Sequence, residues 1–398
     1  MRVCFETFGC RLNRAEALQH EAQYRAAGWQ VVHSHSEADV IVVRGCSVTH
    51  RAQRDCEKLI ASLRSRYPAK RIVVTGCLPE EEKSKAVASL PPETGEAIAR
   101  STARAYLKVQ DGCNGQCTFC IVPQFRGSSV SVDFDEVLDK ARRFADAGYR
   151  EIVVTGCNLA LYASKGRRLP ELIDRIAAVS PDCRVRIGSL EPMLCAMETL
   201  NAIAAHDNIC RFIHIPVQSG SNRILSAMRR PYLYRDVEQI VLKANRLMPG
   251  IAIGCDIITG FPGENEADFV LTRQMLERLP FSKAHIFPYS ERPGTPAVMM
   301  ANPVAREIRS ARAHKLAAIM DDKRTSYAKS FVGKRVTIVI ENEEECAGWT
   351  GEYLWCEVGK SNARLNAVRE LTGKVVRRAQ VDIVVSHSQG HRLYGNIV

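Results

Sequence analysis

Three cysteines, Cys113, Cys117 and Cys120, stand in the run Asp111-Gly-Cys-Asn-Gly-Gln-Cys-Thr-Phe-Cys120. Thiolates are the ligands of iron–sulfur clusters, and an ordinary four-iron cluster takes four of them. A Cys-x3-Cys-x2-Cys triplet provides three, so one iron keeps a position for another ligand, as catalytic metal sites do. Two other readings share the spacing. One is a zinc site completed by a distant fourth ligand; the other is half of an electron-transfer ferredoxin. The ferredoxin run uses tight Cys-x2-Cys pairs and closes on Cys-Pro, whereas Cys120 is followed by Ile-Val-Pro123. Zinc stays open on spacing alone.

The elements that must position this loop follow from periodicity. Over the first hundred residues one pattern recurs: an apolar, β-branched run ends in glycine and cysteine, as in Val3–Cys10, Val40–Cys46 and Ile72–Cys77. Helix-like stretches, Arg14 to Ala27 and Arg51 to Arg66, separate them. This β-α-β-α-β order predicts a parallel sheet whose strands end along one edge, where ligands bind. Cys10, Cys46 and Cys77 are therefore expected together in space as a second three-thiol metal site. The glycine before each is expected to turn the backbone sharply. Cys4, Cys56, Cys183, Cys195, Cys210, Cys255, Cys346 and Cys356 read as ordinary thiols. Cys157 copies the Cys77 strand but has no partner units around it.

From about Ala105 the alternation continues with strands expected at Tyr106–Gln110, Glu151–Thr155, Arg184–Ile187, Phe212–Val217, Ile251–Ile258 and Ala284–Pro288. The helices between them are expected at Asp135–Ala147, Leu169–Val179, Met193–Ala205, Asp236–Leu247 and Glu266–Leu279. Six βα units predict a (βα)6 partial TIM-type barrel, with its active-site face at the polar, glycine-bearing strand ends. Pro303 to Lys329 reads as a long basic helix that either packs on the barrel or contacts RNA. Beyond it the period becomes two, with Val336, Ile338 and Ile340 on one face, then Trp349–Val358 and Lys374–Val385. That predicts a small all-β barrel in which Trp349, Tyr353 and Trp355 either stack on bases or fill the core. The division expected is 1–90, a linker over 91–104, 105–329 and 330–398.

Bulk properties agree with an intracellular enzyme. The chain has 398 residues and a net charge of +11, weakly favouring a polyanionic partner. Its fifteen cysteines are an odd number without an export signal, which favours metal ligands and buried thiols over disulfides. No apolar run reaches the length of a membrane span.

The triplet with Phe119 before its last cysteine resembles the radical S-adenosylmethionine (SAM) enzymes. The wider pattern resembles the methylthiotransferases of that superfamily nearly end to end. The motifs are Thr7-Phe-Gly-Cys-Arg-Leu-Asn13, Gly45-Cys-Ser-Val-Thr49, Thr75-Gly-Cys77, Gln110–Asn114 through Pro123 with Arg126-Gly127, Ser189-Leu-Glu-Pro192, His214–Gly220, Asp256–Glu264 and Phe287–Pro296. The C-terminal barrel is similar to the family's TRAM domain, an RNA-binding module. The closest likeness is to the branch acting on N6-threonylcarbamoyladenosine beside the tRNA anticodon. Sister branches act on isopentenyladenosine or on a ribosomal-protein aspartate.

The resemblance implies two [4Fe-4S] clusters. Cys113, Cys117 and Cys120 would hold the one that cleaves SAM to a 5′-deoxyadenosyl radical, and Cys10, Cys46 and Cys77 an auxiliary one that delivers sulfur. It implies SAM contacts at Phe119, Gly156, Asn158, Ser189, Glu191, Gln218 and Ser219. The implied partners are a tRNA anticodon stem-loop, a low-potential electron donor such as a flavodoxin or ferredoxin, and a sulfur donor the resemblance does not identify; the implied location is the cytoplasm. Two departures stand out: Arg44-Gly45 precedes Cys46 where the family has Asn-Thr, and the segment Leu78 to Ala103 is short. Readings of another class are a non-catalytic RNA-binding iron–sulfur or zinc protein and an electron carrier.

Overall fold

A computed structural model describes residues 1–48, 50–78, 83, 98, 101–192, 196–359 and 379–398. Most of the expected linker and of the short segment after Leu78 lie outside the described residues, as do Cys195, the start of the expected Met193–Ala205 helix, and residues 374–378.

The first unit runs β1 (Arg2–Thr7), α1 (Arg11–Ala26), β2 (Gln30–Val31), β3 (Val40–Cys46), α2 (His50–Arg66) and β4 (Arg71–Cys77). All its strands are parallel, in the order β2-β1-β3-β4, the two-residue β2 being an addition to the three expected. Strand β3 is buried at every position. A strand covered by helices on both faces needs the unbroken apolar run Val40–Val43. Val40 and Val42 pack with Tyr24 of α1, and Ile41 and Val43 with Cys56 and Leu63 of α2.

The middle of the chain builds β5 (Ala105–Lys108), the short antiparallel pair β6 (Gln110–Asp111) and β7 (Val130–Ser131) with α3 (Val122–Arg126) between them, then α4 (Phe134–Asp146) and β8 (Glu151–Thr155). A hairpin of β9 (Ala163–Ser164) and β10 (Arg167–Arg168) leads to α5 (Leu169–Val179), β11 (Arg184–Ile187), α6 (Ala196–Ala205) and β12 (Phe212–Gln218). Then come α7 (Asn222–Ala227), α8 (Tyr234–Leu247), β13 (Ala252–Thr259), α9 (Glu266–Arg278), β14 (Lys283–Pro288) and α10 (Arg306–Lys329). Parallel sets β5-β8-β11 and β12-β13-β14 are joined by single bridges, Val185–Ile209 and Ser189–His214. Among the described residues β5 and β14 do not pair, so the six strands form a partial barrel with one open side. Helix α1 lies on β5 at that opening, where Lys108 Nζ donates to Glu16 Oε1 at 2.6 Å.

Strand alternation sorts the side chains. Leu107, Val154, Ile187, Ile215 and Ile257 join the apolar core beneath the helices, with Ile286 packed against it. Their neighbours Lys108, Thr155, Arg186, His214, Asp256 and His285 line the interior. The barrel is apolar outside and charged within.

The chain ends in β15 (Arg335–Asn342), β16 (Ala347–Thr350), β17 (Trp355–Val358), β18 (Gln380–Gln389) and β19 (Arg392–Ile397), a closed barrel in the order β15-β16-β17-β19-β18. Its interior is Phe331, Val336, Ile338, Ile340, Ile383 and Leu393. None of the three aromatics expected to stack on bases or fill this core belongs to the core. Tyr353 stacks on Phe212 of the large barrel at 4.9 Å and on Trp349 at 4.7 Å, and Trp355 meets Trp349 edge-on at 5.2 Å. In α10, Leu316 and Met320 are buried while Ile308 is exposed. Arg309 and Arg312, candidate RNA contacts by sequence, are buried and bonded to Tyr289 O at 2.9 Å and Glu264 Oε1 at 2.7 Å.

The small barrel is keyed to the large one by two arginines of β11. Arg184 donates to Thr337 O at 2.9 Å and to Trp349 O, and Arg186 to Thr350 O at 2.8 Å and Gly351 O at 3.0 Å. Both also bond the fully buried Glu151, at 2.5 Å and 2.7 Å. Removing one partner from such a buried cluster leaves an uncompensated charge and costs about 3–5 kcal/mol. Arg186→Ala should therefore lower stability by about that amount, read as an earlier urea transition, and should speed proteolytic release of the C-terminal barrel.

Candidate active site

The loop carrying Cys113, Cys117 and Cys120 leaves β6 and returns through α3. Gly112 makes the departure at φ +66, where a Cβ would lie 2.0 Å from Ser128 O, so only glycine fits. Phe119 anchors the loop from below, edge-on to Phe261 at 6.4 Å within a cluster that includes Ile224, Met228 and Tyr289. All three cysteines are half-buried residues. The Gly115 N–H donates to Cys113 Sγ at 3.3 Å, and Arg230 Nη1 to Cys117 Sγ at 2.9 Å. Burial pushes the Cys120 thiol up to about 12.

Cys10, Cys46 and Cys77 meet as expected, but by a different local geometry. Cys46 and Cys77 are register partners inside β3 and β4. Of the glycines before them, Gly76 turns at φ +110 while Gly45 stays within its strand, where a Cβ would meet Leu78 Cδ1 at 2.6 Å. Gly9, at φ +93, lets the chain pass Cys46: a Cβ there would lie 2.8 Å from Cys46 Sγ. Cys10 caps α1, at the positive end of the helix dipole. Burial pushes Cys77 up to about 11, and Arg126 opposes it.

A single zinc ion with Zn–S bonds of about 2.3 Å holds its sulfurs roughly 3.8 Å apart. Neither cysteine trio has all its sulfurs within 4.8 Å of one another. Both trios therefore suit a larger multi-iron core, and their N–H and guanidinium donors suit anionic thiolates, as the surroundings of iron–sulfur sites do.

One side chain links Cys77 to Asp111, at the root of the other cysteine loop. Arg126, at the end of α3, donates from Nε to Cys77 Sγ at 2.7 Å, from Nη2 to Asn13 Oδ1 at 2.7 Å, and from Nη1 to Glu16 Oε1 at 2.9 Å and Asp111 Oδ1 at 3.0 Å. Glu16 is shared further with Lys108 at 2.6 Å and with Arg44. Arg44, one of the family departures, is thus half of a buried ion pair. Burial alone would raise the Glu16 pKa, but Arg126, Arg44 and Lys108 hold it well below the ordinary carboxylate range. Cys157, which copies the Cys77 strand in sequence, lies at this junction, its Sγ 3.4 Å from Asp111 Oδ1.

The residues expected to touch SAM divide by placement. Ser189 Oγ bonds His214 Nδ1 at 2.9 Å, and Glu191 pairs with Arg230, which links it to Cys117. Gln218, the last residue of β12, adopts φ +71. Gly156 makes room for Gln110, whose Oε1 accepts from Asn158 N at 2.9 Å, and the Asn158 side chain caps the next turn. Ser219 is fully buried; its hydroxyl accepts from Ser221 N and lies 3.3 Å from Thr272 Oγ1. Below them, His214 Nε2 and His285 Nδ1 lie 3.1 Å and 3.4 Å from Asp256 Oδ1. Burial would raise Asp256; the two histidines hold it below its ordinary range.

Sequence reasoning assigned no role to Glu16, Arg126 or Arg230. Arg126 carried the one available signal, its place six residues after Cys120. Glu16 and Arg230 are isolated charges whose meaning arises only when distant elements meet.

Comparisons with known proteins agree with this geometry. The chain matches the Radical SAM superfamily over residues 107–276 and Uncharacterized protein family UPF0004 over residues 2–95. It is 30% identical to the threonylcarbamoyladenosine tRNA methylthiotransferase MtaB of Bacillus subtilis, covering 94% of this chain and 92% of that one. To the protein of the same name from Thermotoga maritima it is 32% identical, over 85% of this chain and 86% of that one. It is also 28% identical to the tRNA-2-methylthio-N(6)-dimethylallyladenosine synthase of Burkholderia thailandensis, covering 100% and 97%. In fold it is similar to the radical SAM methyltransferase TsrM of Kitasatospora setae, with a TM-score of 0.55, 14% identity, and coverage of 74% and 76%.

The junction has a pH signature. A carboxylate held below its unfolded pKa contributes stability that is full above that value and is lost as the pH falls. The Glu16 contribution should be constant from pH 7 to about 5.5 and decay below 4.5, the ordinary value of a free glutamate. Urea titrations at several pH values should give Glu16→Gln a lower midpoint than wild type at pH 7 and a shallower loss of stability on acidification.

Proposed function

Because the chain belongs to the radical SAM methylthiotransferase family, we propose that it adds a methylthio group to C2 of N6-threonylcarbamoyladenosine next to the tRNA anticodon, in the cytoplasm. The observation that carries this reading is the presence of two three-cysteine groups, with Arg126 running from Cys77 of one to Asp111 beside the loop of the other.

The family's cofactors are SAM and two [4Fe-4S] clusters. We assign Cys113, Cys117 and Cys120 to the SAM-binding cluster, and Cys10, Cys46 and Cys77 to the auxiliary one. When bound, these groups supply reductive SAM cleavage and the sulfur to be transferred. Arg126 and Arg230 place positive charge beside cysteine sulfur in each site, stabilising the thiolate form. The Glu191–Arg230 pair positions a strand-end carboxylate against the Cys117 loop. Phe119, Phe261 and Tyr289 close the loop's underside to water. Ser189, Glu191 and Gln218 are the residues we assign to SAM, with Phe119, Gly156 and Asn158 shaping the pocket around them; Ser219 supports the turn from beneath. A low-potential flavodoxin or ferredoxin is the electron donor that such chemistry calls for.

Two features favour the threonylcarbamoyl substrate over the dimethylallyl one. The relatives bearing that name are 30% and 32% identical, against 28%. The barrel interior is lined by charge, which suits an ionised, hydrogen-bonding substituent and not a prenyl chain.

Loss of one trio should halve the iron that the anaerobically reconstituted protein holds. Cys113→Ala should also abolish SAM cleavage, whereas Cys46→Ala should keep cleavage and stop sulfur insertion; insertion by Cys46→Ala would overturn the auxiliary-site assignment. Nucleoside mass spectrometry on tRNA from cells lacking the protein tests the substrate. The 2-methylthio form of threonylcarbamoyladenosine should return with wild type and not with Cys113→Ala. Return of the dimethylallyl product instead would move the chain to the sister branch, and an unchanged nucleoside set would remove tRNA as substrate.

A further inference from the structure

At the open side of the large barrel, three cations converge that make no ion-pair contact with the described residues. Lys283, first residue of β14, has its Nζ 4.7 Å from the centre of the Tyr353 ring, and the Arg11 guanidinium lies 5.1 Å from the same ring. Arg324 of α10 lines a cavity of about 410 Å³ together with Lys283, His285 and His314. Among the described residues no carboxylate oxygen lies within 4.0 Å of the charged nitrogens of Arg11, Lys283 or Arg324, whereas nearby Arg104 and Arg186 are matched by Glu341 and Glu151. Two carboxylates are nearby: Asp256 is held by His214 and His285, and Asp321 lines the same cavity and attracts Arg324, though without an ion-pair contact within 4.0 Å.

Bringing like charges together in a half-buried place is unfavourable unless an anion joins them. The tension registers on the groups present. Burial lowers Lys283, and Arg324 and Arg11 lower it further. Tyr353 responds in the opposite sense: burial would raise its phenol, but Arg11, Arg104 and Lys283 outweigh that and bring it down to about 8.

We infer that Arg11, Lys283 and Arg324 form a binding site for the carboxylate on the N6 substituent of the substrate adenosine. The inference rests on the substrate reading above and deepens it by naming the residues that select the substituent. Placement supports it. Arg11 follows Cys10 directly in the chain, so an anion on Arg11 lies close to the auxiliary trio. In adenine, C2 and C6 both flank N1, so a group on N6 is held near the carbon that receives sulfur. Lys283 alternates with Ala284 along β14 and so shares the face that carries His285. A dimethylallyl group placed there would cover the cations with hydrocarbon and strip their water without replacing it.

The test uses the reconstituted, full-length protein and anticodon stem-loops carrying threonylcarbamoyladenosine, its carboxamide analogue or dimethylallyladenosine. Anaerobic binding by fluorescence anisotropy and single-turnover product formation are both read. Lys283→Met and Arg11→Gln should each weaken binding of the acid by about ten- to hundredfold and leave the amide unchanged, since an ionic hydrogen bond is lost only from the acid. Lys283→Arg should restore most of the loss. Equal losses on acid and amide mean that these residues meet RNA phosphate or serve the fold, and overturn the inference while leaving the substrate reading intact. No loss on either overturns it as well. A wild-type protein that converts the dimethylallyl loop and ignores the threonylcarbamoyl loop overturns the substrate reading, and this inference with it.

Discussion

Everything in the site depends on one shared carboxylate. Glu16 receives Arg126 from the cluster loop, Lys108 from the first barrel strand and Arg44 from the strand that ends in Cys46. A buried carboxylate is tolerable only when paired, and each of these cations needs a partner in turn. The requirement is met only when the N-terminal sheet docks on the barrel's open side in one orientation. That docking brings Cys77 to Arg126, and through Arg126 to Asp111 at the root of the other cysteine loop. Two three-cysteine groups built on separate sheets are set against each other by ordinary electrostatics.

The barrel obeys the same logic inverted. A closed (βα) barrel fills its interior with branched apolar side chains. Here six strands leave a gap, so the interior is reachable and its alternate positions carry Lys108, Arg186, His214, Asp256, Lys283 and His285. The apolar stabilisation is concentrated outside, under the helices, where Leu107, Val154, Ile187 and Ile257 are fully buried. Stability and chemistry thus occupy opposite faces of the same strands.

Much of this was legible in the sequence. Period-two and period-three-to-four patterns placed Glu151–Thr155, Arg184–Ile187 and Leu169–Val179 at the ends observed. Repetition of strand, glycine and cysteine placed Cys10, Cys46 and Cys77 along one sheet edge. Legibility failed where meaning comes from long-range pairing. Glu16 is one polar position of an amphipathic helix, and nothing local says that three cations will meet there. Tyr353 read as a base-stacking residue or a core residue because a β-barrel aromatic is ordinarily one or the other; its actual neighbour, Phe212, is 141 positions away. Gly45 misled for the opposite reason. Glycine before cysteine signals a turn, but at the centre of a sheet it also serves close packing, and Leu78 and Cys56 occupy the space a side chain would take.

The joint between the two barrels is made by Arg184 and Arg186 to main-chain oxygens of Thr337, Trp349, Thr350 and Gly351. A carbonyl oxygen is the same whatever side chain its residue bears. These four bonds read the path of the small barrel's backbone, and Tyr353 on Phe212 and Glu341 beside Arg104 are the side chains the joint adds to them. The surface turned away from those two residues can be rewritten, by mutation or by grafting, while the coupling to the large barrel persists.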